Sequence, residues 1–505
     1  MTATTNTYKR KTFVLVILIL STGFVSCSYQ FPEEPVSNEG EGLPETFSEF
    51  YVLGDTYASG YMDGALYNGG QEYSYANIFG NKLNEIYSEP VFQQAEIAGE
   101  MGYNAEASEG EEVLKGKYSL LYRTPLSIYP ARNPSEGEQV TEWGGSPDNL
   151  KDFSIPGLKS FEVDSNLALV QNAYYNRLGL GSATLLDLII QRQPTAVLIH
   201  LGYQDILNYA LNGAAGNANP DPVMIGDSDL TPVSVFENAV NEIINRLLQE
   251  TQSDIFIANL FNPLQAPYFQ TISYALEIEK YSSGYLGEVG SHYTDFNYDV
   301  FQYNDVEDGG APAELDRPRI IVDPMGYPQI SPNNRARVIV DEYLNEASLN
   351  DGTVIPKWRQ LKEGELVLYK TEPQLNESSS LSGIEPLSDA QVLTEPEIEI
   401  INQRVAAYNN IIENLVSSNE RIHLVDLKSI INAVNEGAYL FNGVRLGMEF
   451  NRYGIFSSDG YTLNPRGNAI FTNQLIQAIN TTYEAGLQRI DVNAYRGNEI
   501  MANYK

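Results

Sequence analysis

Apolar residues along this chain gather into short runs, and longer stretches with helical spacing lie between them. Phe50-Tyr51-Val52-Leu53 is one run, ending in Gly54-Asp55-Thr56. Ala196-Val197-Leu198-Ile199-His200-Leu201, Ile255-Phe256-Ile257-Ala258 and Ile422-His423-Leu424-Val425 are others, and Phe153-Ser154-Ile155 is a shorter one broken by Pro156-Gly157. Runs this compact, with no polar alternation, predict strands buried on both faces. Helices are predicted from Ala183 to Ile190, through Val233, Phe236, Val240, Ile243 and Leu247, and over 395–417 through Ile401, Val405, Tyr408, Ile412 and Leu415. Asn464 is placed to cap a last helix with Pro465 at its first position, followed by Ile470, Phe471, Leu475, Ile476 and Ile479. Strand–helix alternation of this kind predicts an α/β fold: a parallel sheet with helices on both faces, three layers in all. Ligands of such sheets sit beyond the carboxyl ends of the strands.

Two stretches break the rhythm. Residues 60–150 are rich in Gly, Tyr and Asn with little periodicity. From about 270 to 390 polar loops carrying Gly and Pro dominate. A structureless loop of that length does not suit a compact domain, so 271–390 is expected to be an inserted subdomain or cap, with a hairpin around Phe296 to Tyr303. The α/β domain then comprises 47–270 and 391–485, with 486–505 as a C-terminal tail.

At the N-terminus Lys9, Arg10 and Lys11 precede an apolar run from Thr12 to Ser26, which stops at Cys27, the only cysteine. Basic residues, an apolar stretch and a small residue before the cut are the grammar of a secretory signal. The run is too short for a spanning helix, which needs about 20 apolar residues. Residues 1–26 are therefore expected to be removed. Phe24-Val25-Ser26-Cys27 resembles a bacterial lipobox, which implies lipidation of Cys27. Residues 27–46, with Pro32, Glu33, Glu34, Pro35, Gly40 and Gly42, read as a tether.

Composition narrows the partners. The net charge is −35, from 66 acidic against 31 basic residues. Such a surface repels nucleic acid and anionic lipid, so a membrane would be reached through the lipidated Cys27. Three histidines and no second cysteine argue against a zinc site, and no cofactor is expected. Asp221, Asp227 and Asp229 cluster in one loop, but their spacing does not match a twelve-residue calcium loop; a solvated acidic loop is expected, with a weak calcium site as the alternative. Thirty-four tyrosines leave room for a binding face that stacks on sugars.

Four segments together resemble the SGNH, or GDSL, hydrolase family. Val52-Leu53-Gly54-Asp55-Thr56, continuing to Gly64, is similar to the first block, where a nucleophilic serine follows strand one. Ile155-Pro156-Gly157 is similar to the second, whose glycine lends an N–H to the oxyanion hole. Leu201-Gly202-Tyr203-Gln204-Asp205 sits where the third has Gly-x-Asn-Asp. Ser458-Asp459-Gly460-Tyr461-Thr462, with Pro465-Arg466-Gly467, sits where the fifth has Asp-x-x-His. The resemblance spans about 50–485 and is nearest to long lipoproteins of Bacteroidota-type bacteria, including Leu361-Lys362-Glu363-Gly364-Glu365-Leu366-Val367-Leu368. It implies a flavodoxin-like three-layer α/β/α sheet.

The implied chemistry needs a serine, a histidine base oriented by an aspartate, and oxyanion donors. This chain has Thr56, Thr462 and Gln204 at the serine, histidine and asparagine positions. Gly157 matches, as do Asp55, Asp205 and Asp459, the last at the position of the triad acid. Thr462 cannot accept a proton near neutral pH. Loss of a triad member typically leaves only about 10³–10⁴ over water.

The expectation is a catalytically degenerate lipoprotein. It would act as a binding or assembly component of the cell envelope, such as an accessory subunit of an outer-membrane transport or assembly complex, with protein partners there. Glu33 and Glu34 near the lipid favour the cell surface. Two alternatives stand. One is an active esterase or deacetylase in which Thr56 attacks and His200, His292 or an acid is the base. The other is a glycan-binding surface lipoprotein. His423, inside a strand, is expected to be a core residue.

Overall fold

The computed structural model describes residues 40–103, 116–124, 127–132, 137–165, 167, 172–277, 281–305, 316–322, 332–375, 383–498 and 500–501. The expected signal of residues 1–26, Cys27 and most of the expected tether lie outside the described residues.

Five parallel strands form the central sheet: β1 Phe50–Gly54, β2 Asp152–Ser154, β3 Ala196–His200, β4 Asp254–Ala258 and β5 Ile422–Val425. Their order across the sheet is β2-β1-β3-β4-β5, the doubly wound order in which direction reverses between β1 and β3. Every residue of β1 and β3 is buried, as their apolar runs predict. The register sets Gly54 beside both Ser154 and His200, so the three strands end together.

The principal helices are α1 Tyr75–Tyr87, α2 Leu185–Gln191, α3 Gln204–Leu211, α4 Val233–Glu250, α5 Glu395–Ser418, α6 Leu427–Asn435 and α7 Pro465–Tyr483. α1 packs on α7, while α4 packs on both α2 and α5. The crossovers leading to β2 and to β4 run in opposite directions from the switch point, so right-handed connections place their helices on opposite faces. Phe236 of α4 stacks on Tyr408 of α5 with ring centroids 3.8 Å apart. Asn464 caps α7 by accepting the Gly467 N–H at 3.0 Å. Among the described residues no helix is long and apolar enough to cross a membrane.

The stretch 271–390 holds a separate small core of Leu276, Leu286, Val289, Tyr293, Phe296 and Val300 with their neighbours. The hairpin expected around Phe296 to Tyr303 is instead part of a helix, Thr294–Asn304. Phe296 and Val300, four apart, are buried, while Tyr298 and Phe301 are exposed. Helical spacing of the buried pair overrode the strand preference of the aromatic residues. Hairpin strands Tyr118–Thr124 and Ser127–Arg132 occur earlier, and Ile500–Met501 pairs in parallel with the first of them.

Candidate functional site

The loops leaving β1, β2 and β3 converge at the carboxyl edge, where the sheet changes direction. Gly54 closes β1 because a Cβ there would lie 2.5 Å from the Ala58 Cβ and 2.8 Å from Ser154 Oγ. Asp55 then turns inward. Its carboxylate accepts the N–H groups of Tyr57 at 3.1 Å, Tyr203 at 3.0 Å and Gln204 at 3.2 Å. It therefore clamps the loop after β1 to the loop after β3. Burial pushes its carboxyl up to about 7, against the pull of those donors. Asp205 makes the matching clamp to the loop after β2, accepting the N–H and hydroxyl of Ser160 at 3.0 and 2.9 Å.

Thr56 sits at the centre, 4% exposed. Its hydroxyl donates to Gln204 Oε1 at 2.7 Å and accepts the Gly157 N–H at 3.0 Å. Gly157 can aim that N–H because its φ is +80°, in the left-handed region where a side chain is strained. Thr56, Gly157 and Gln204, far apart in sequence, are thus joined by direct hydrogen bonds. The proton of Thr56 points at an amide oxygen, which is not a base near neutral pH.

Asp459 and Thr462 form a second closed unit. The Asp459 Oδ1 accepts the N–H groups of Tyr461 and Thr462 at 2.9 and 2.8 Å. Its Oδ2 accepts the Thr462 hydroxyl at 2.5 Å and the Gly64 N–H at 2.8 Å. Thr462 is buried, and its hydroxyl also meets Ser457 Oγ at 2.9 Å. The carboxylate therefore holds a turn together and braces it to the loop after β1.

None of the three histidines hydrogen-bonds Thr56. His200 is fully buried, with Nδ1 on the Tyr75 hydroxyl at 2.8 Å and Nε2 without a partner. Burial pushes it down to about 3, so its imidazole is neutral. His423 is only half-buried and lies 3.3 Å from Asp254 Oδ1. It is less enclosed than a core position implies. His292 is exposed at the end of a helix of residues Ser283–His292.

An open cleft of about 260 Å³ lies over Thr56. Its walls include Tyr61, Tyr174 and Tyr461, the amides Asn172 and Asn208, and the acids Glu162 and Asp227. Burial pushes the Glu162 carboxyl up to about 7, against a hydrogen bond from the Lys159 N–H at 2.7 Å. Asp227 is the member of the acidic loop that reaches the cleft. In the same loop Asp221 accepts the Val223 N–H and Asp229 the N–H groups of Asn217 and Gly226, so those two serve local turns. Sequence reasoning did not single out Glu162, Asn172, Tyr174 or Asn208. They belong to no motif, and only the fold brings them to Thr56.

No protein-family model matches the chain, and no curated protein or solved structure matches it either.

Proposed function

We propose that this chain is a catalytically degenerate SGNH hydrolase, anchored through a lipid on Cys27 to the outer membrane and facing the cell exterior. It works there as a binding or assembly component of the envelope. One observation carries the loss of catalysis: the Thr56 hydroxyl is satisfied on both sides, by Gly157 and Gln204, and no imidazole reaches it. The SGNH assignment is supported by the strand order and by the convergence of Thr56, Gly157 and Gln204 at the switch point. An unactivated hydroxyl attacks esters poorly. An active esterase would need Glu162 or Asp227 to take the Thr56 proton, which now hydrogen-bonds Gln204 Oε1.

Two measurements test the reading. The purified chain should hydrolyse p-nitrophenyl acetate no faster than its Thr56→Ala variant, and turnover abolished by that substitution would sink the claim. Affinity purification from gently solubilised envelope should recover a stoichiometric protein partner, and a lone monomer would count against the assembly role.

The cleft itself favours a second reading. Three tyrosines, two amides and two carboxyl groups around an open hollow offer the stacking faces and polar rim that a sugar ring uses. Binding of glycan fragments without turnover, weakened by Tyr61→Ala and Tyr461→Ala, would support a glycan-binding lipoprotein. No saturable binding would remove it.

A further inference from the structure

Away from the cleft, three carboxyl groups from separate segments meet. Glu342 follows a strand of residues Val338–Val340, Asp389 opens a short 3-10 turn of residues Asp389–Gln391, and Glu397 lies in the first turn of α5. One oxygen from each lies within 4.8 Å of the other two. Two oxygens that share an ion at about 2.4 Å can be no farther apart than about 4.8 Å. The spacing is therefore that of ligands on one cation.

Acidic residues gather on many surfaces without holding an ion, but Glu397 is not on the surface. It is 1% exposed. Its Oε2 is occupied by the Thr394 N–H at 2.6 Å and the Thr394 hydroxyl at 2.7 Å, which cap α5. Its Oε1 is buried with no hydrogen-bond partner. A buried carboxylate oxygen without a donor is costly. Among the described residues no lysine or arginine forms an ion pair with Glu342, Asp389 or Glu397. Arg359 is already committed to Asp341 and Glu365, and Lys357, which donates to the Glu342 carbonyl at 3.5 Å, pairs with Glu346.

We propose that Glu342, Asp389 and Glu397 bind a calcium ion, with Glu397 Oε1 as its buried ligand. An all-oxygen set with no histidine or cysteine is one for a hard cation. The exposed Glu342 leaves a way in and room for water ligands. The ion fastens the Val338–Val340 segment and the Asp389 turn to the start of α5. It is independent of the reading given to Thr56.

Terbium reports such a site because it replaces calcium and is excited through nearby tyrosines. Tyr209 and Tyr343 both feel the charges of Glu342, Asp389 and Glu397. In the full-length chain, tyrosine excitation should give saturable terbium emission that calcium displaces. Calcium should also raise the unfolding temperature, with a Kd of about 0.1–1 mM, as in extracellular calcium modules. Glu397→Gln keeps the capping geometry, and Glu342→Gln is at the surface. Each should weaken calcium about tenfold or more, whereas Asp221→Asn in the other acidic loop should not. Emission that is absent in the wild type, or unchanged in both glutamine variants, would overturn the site. An equal response to magnesium would overturn its assignment to calcium.

Discussion

Replacing Thr56 with valine removes one oxygen and keeps the branched shape, so it separates a structural hydroxyl from a catalytic one. In the folded chain that oxygen joins two loops, donating to Gln204 Oε1 at 2.7 Å and accepting the Gly157 N–H at 3.0 Å. The two losses are unequal. Both residues line the cleft, but Gly157 is half-buried, so water can take over its N–H. Gln204 is 3% exposed, and its Oε1 would lose its donor where water has little access. An orphaned buried acceptor costs about 1–3 kcal/mol. The methyl group gained in valine offsets part of this, which leaves about 1–2 kcal/mol of destabilisation.

A chain this long converts 1 kcal/mol into a melting shift of only about 1 °C, so a thermal scan alone is a weak readout. A double-mutant cycle of Thr56→Val with Gln204→Leu, followed by urea unfolding, isolates the pair. The two changes should be sub-additive by about 1 kcal/mol. Native-state hydrogen exchange at the Gly157 amide should quicken in Thr56→Val. A hydroxyl held ready for catalysis would behave in the opposite way, since removing a strained functional group commonly stabilises a protein. A stabilised Thr56→Val variant, uncoupled from Gln204, would refute the structural role.

Arg359 donates to both oxygens of Glu365 at 2.6 and 2.7 Å and also to Asp341, with all three side chains less than 10% exposed. Arg359→Ala strands two buried carboxylates and should destabilise the surrounding segment by about 3–5 kcal/mol in urea unfolding; a loss below about 1 kcal/mol would show that the network does not hold it. Gly157→Ala forces a side chain into a left-handed conformation and sets its Cβ 3.3 Å from Asn172 Nδ2. It should cost about 1–2 kcal/mol, read by the same unfolding experiment, and a neutral result would mean that the loop relaxes freely. Burial pushes Asp55, Asp152 and Glu162 up to about 7. Each binds a proton in the folded chain that the unfolded chain has released, so its contribution is fully present below about pH 4 and lost as pH rises through about 7. His200, pushed down to about 3, opposes them, because below about pH 6.5 the unfolded chain takes up a proton that the folded imidazole refuses. Three groups outweigh one, so calorimetry should show stability rising as pH falls from 8 to about 5, and a steady fall over that range would contradict the burial of these acids.

The central sheet was legible because its strands are buried on both faces and so carry unbroken apolar runs. Ala196–His200 and Asp254–Ala258 differ from the runs by a residue at an end. The last helix was legible from Asn464 and Pro465. α1 was not. It lies within a Gly-, Tyr- and Asn-rich stretch, and its buried face combines Tyr75, Ile78, Phe79 and Leu83 with Gly80, where an aromatic ring does the packing: a Cβ on Gly80 would lie 2.0 Å from the Phe92 ring. α6 was missed as well, although Leu427, Ile431 and Val434 have helical spacing and Asp426 caps it. The positions Thr56, Gly157 and Gln204 could be read from motif order, since each follows a strand that ends at the same edge. The rest of the cleft could not, because Glu162, Asn172 and Asn208 come from loops and a helix whose relative placement is a product of the tertiary fold.

The proposed loss of catalysis also accounts for which motif positions match the resembled family and which depart. Asp55, Asp205 and Asp459 match, and each is a clamp. Asp55 receives three backbone N–H groups, Asp205 joins α3 to Ser160, and Asp459 receives three N–H groups and a hydroxyl. Their work is to hold loops in place, whether or not an ester is ever cleaved, and removing any of them would leave several buried donors unpaired. Positions 56, 204 and 462 depart, and in a hydrolase their work is on the substrate: attack, oxyanion stabilisation and proton transfer. Here the three side chains are turned on the protein itself, Thr56 to Gln204 and Thr462 to Asp459. If catalysis is lost, as proposed, the edge of the sheet can be cross-braced by the same hydroxyls that a working enzyme must keep available. On that proposal, the open cleft above would serve a ligand that is held and not cut.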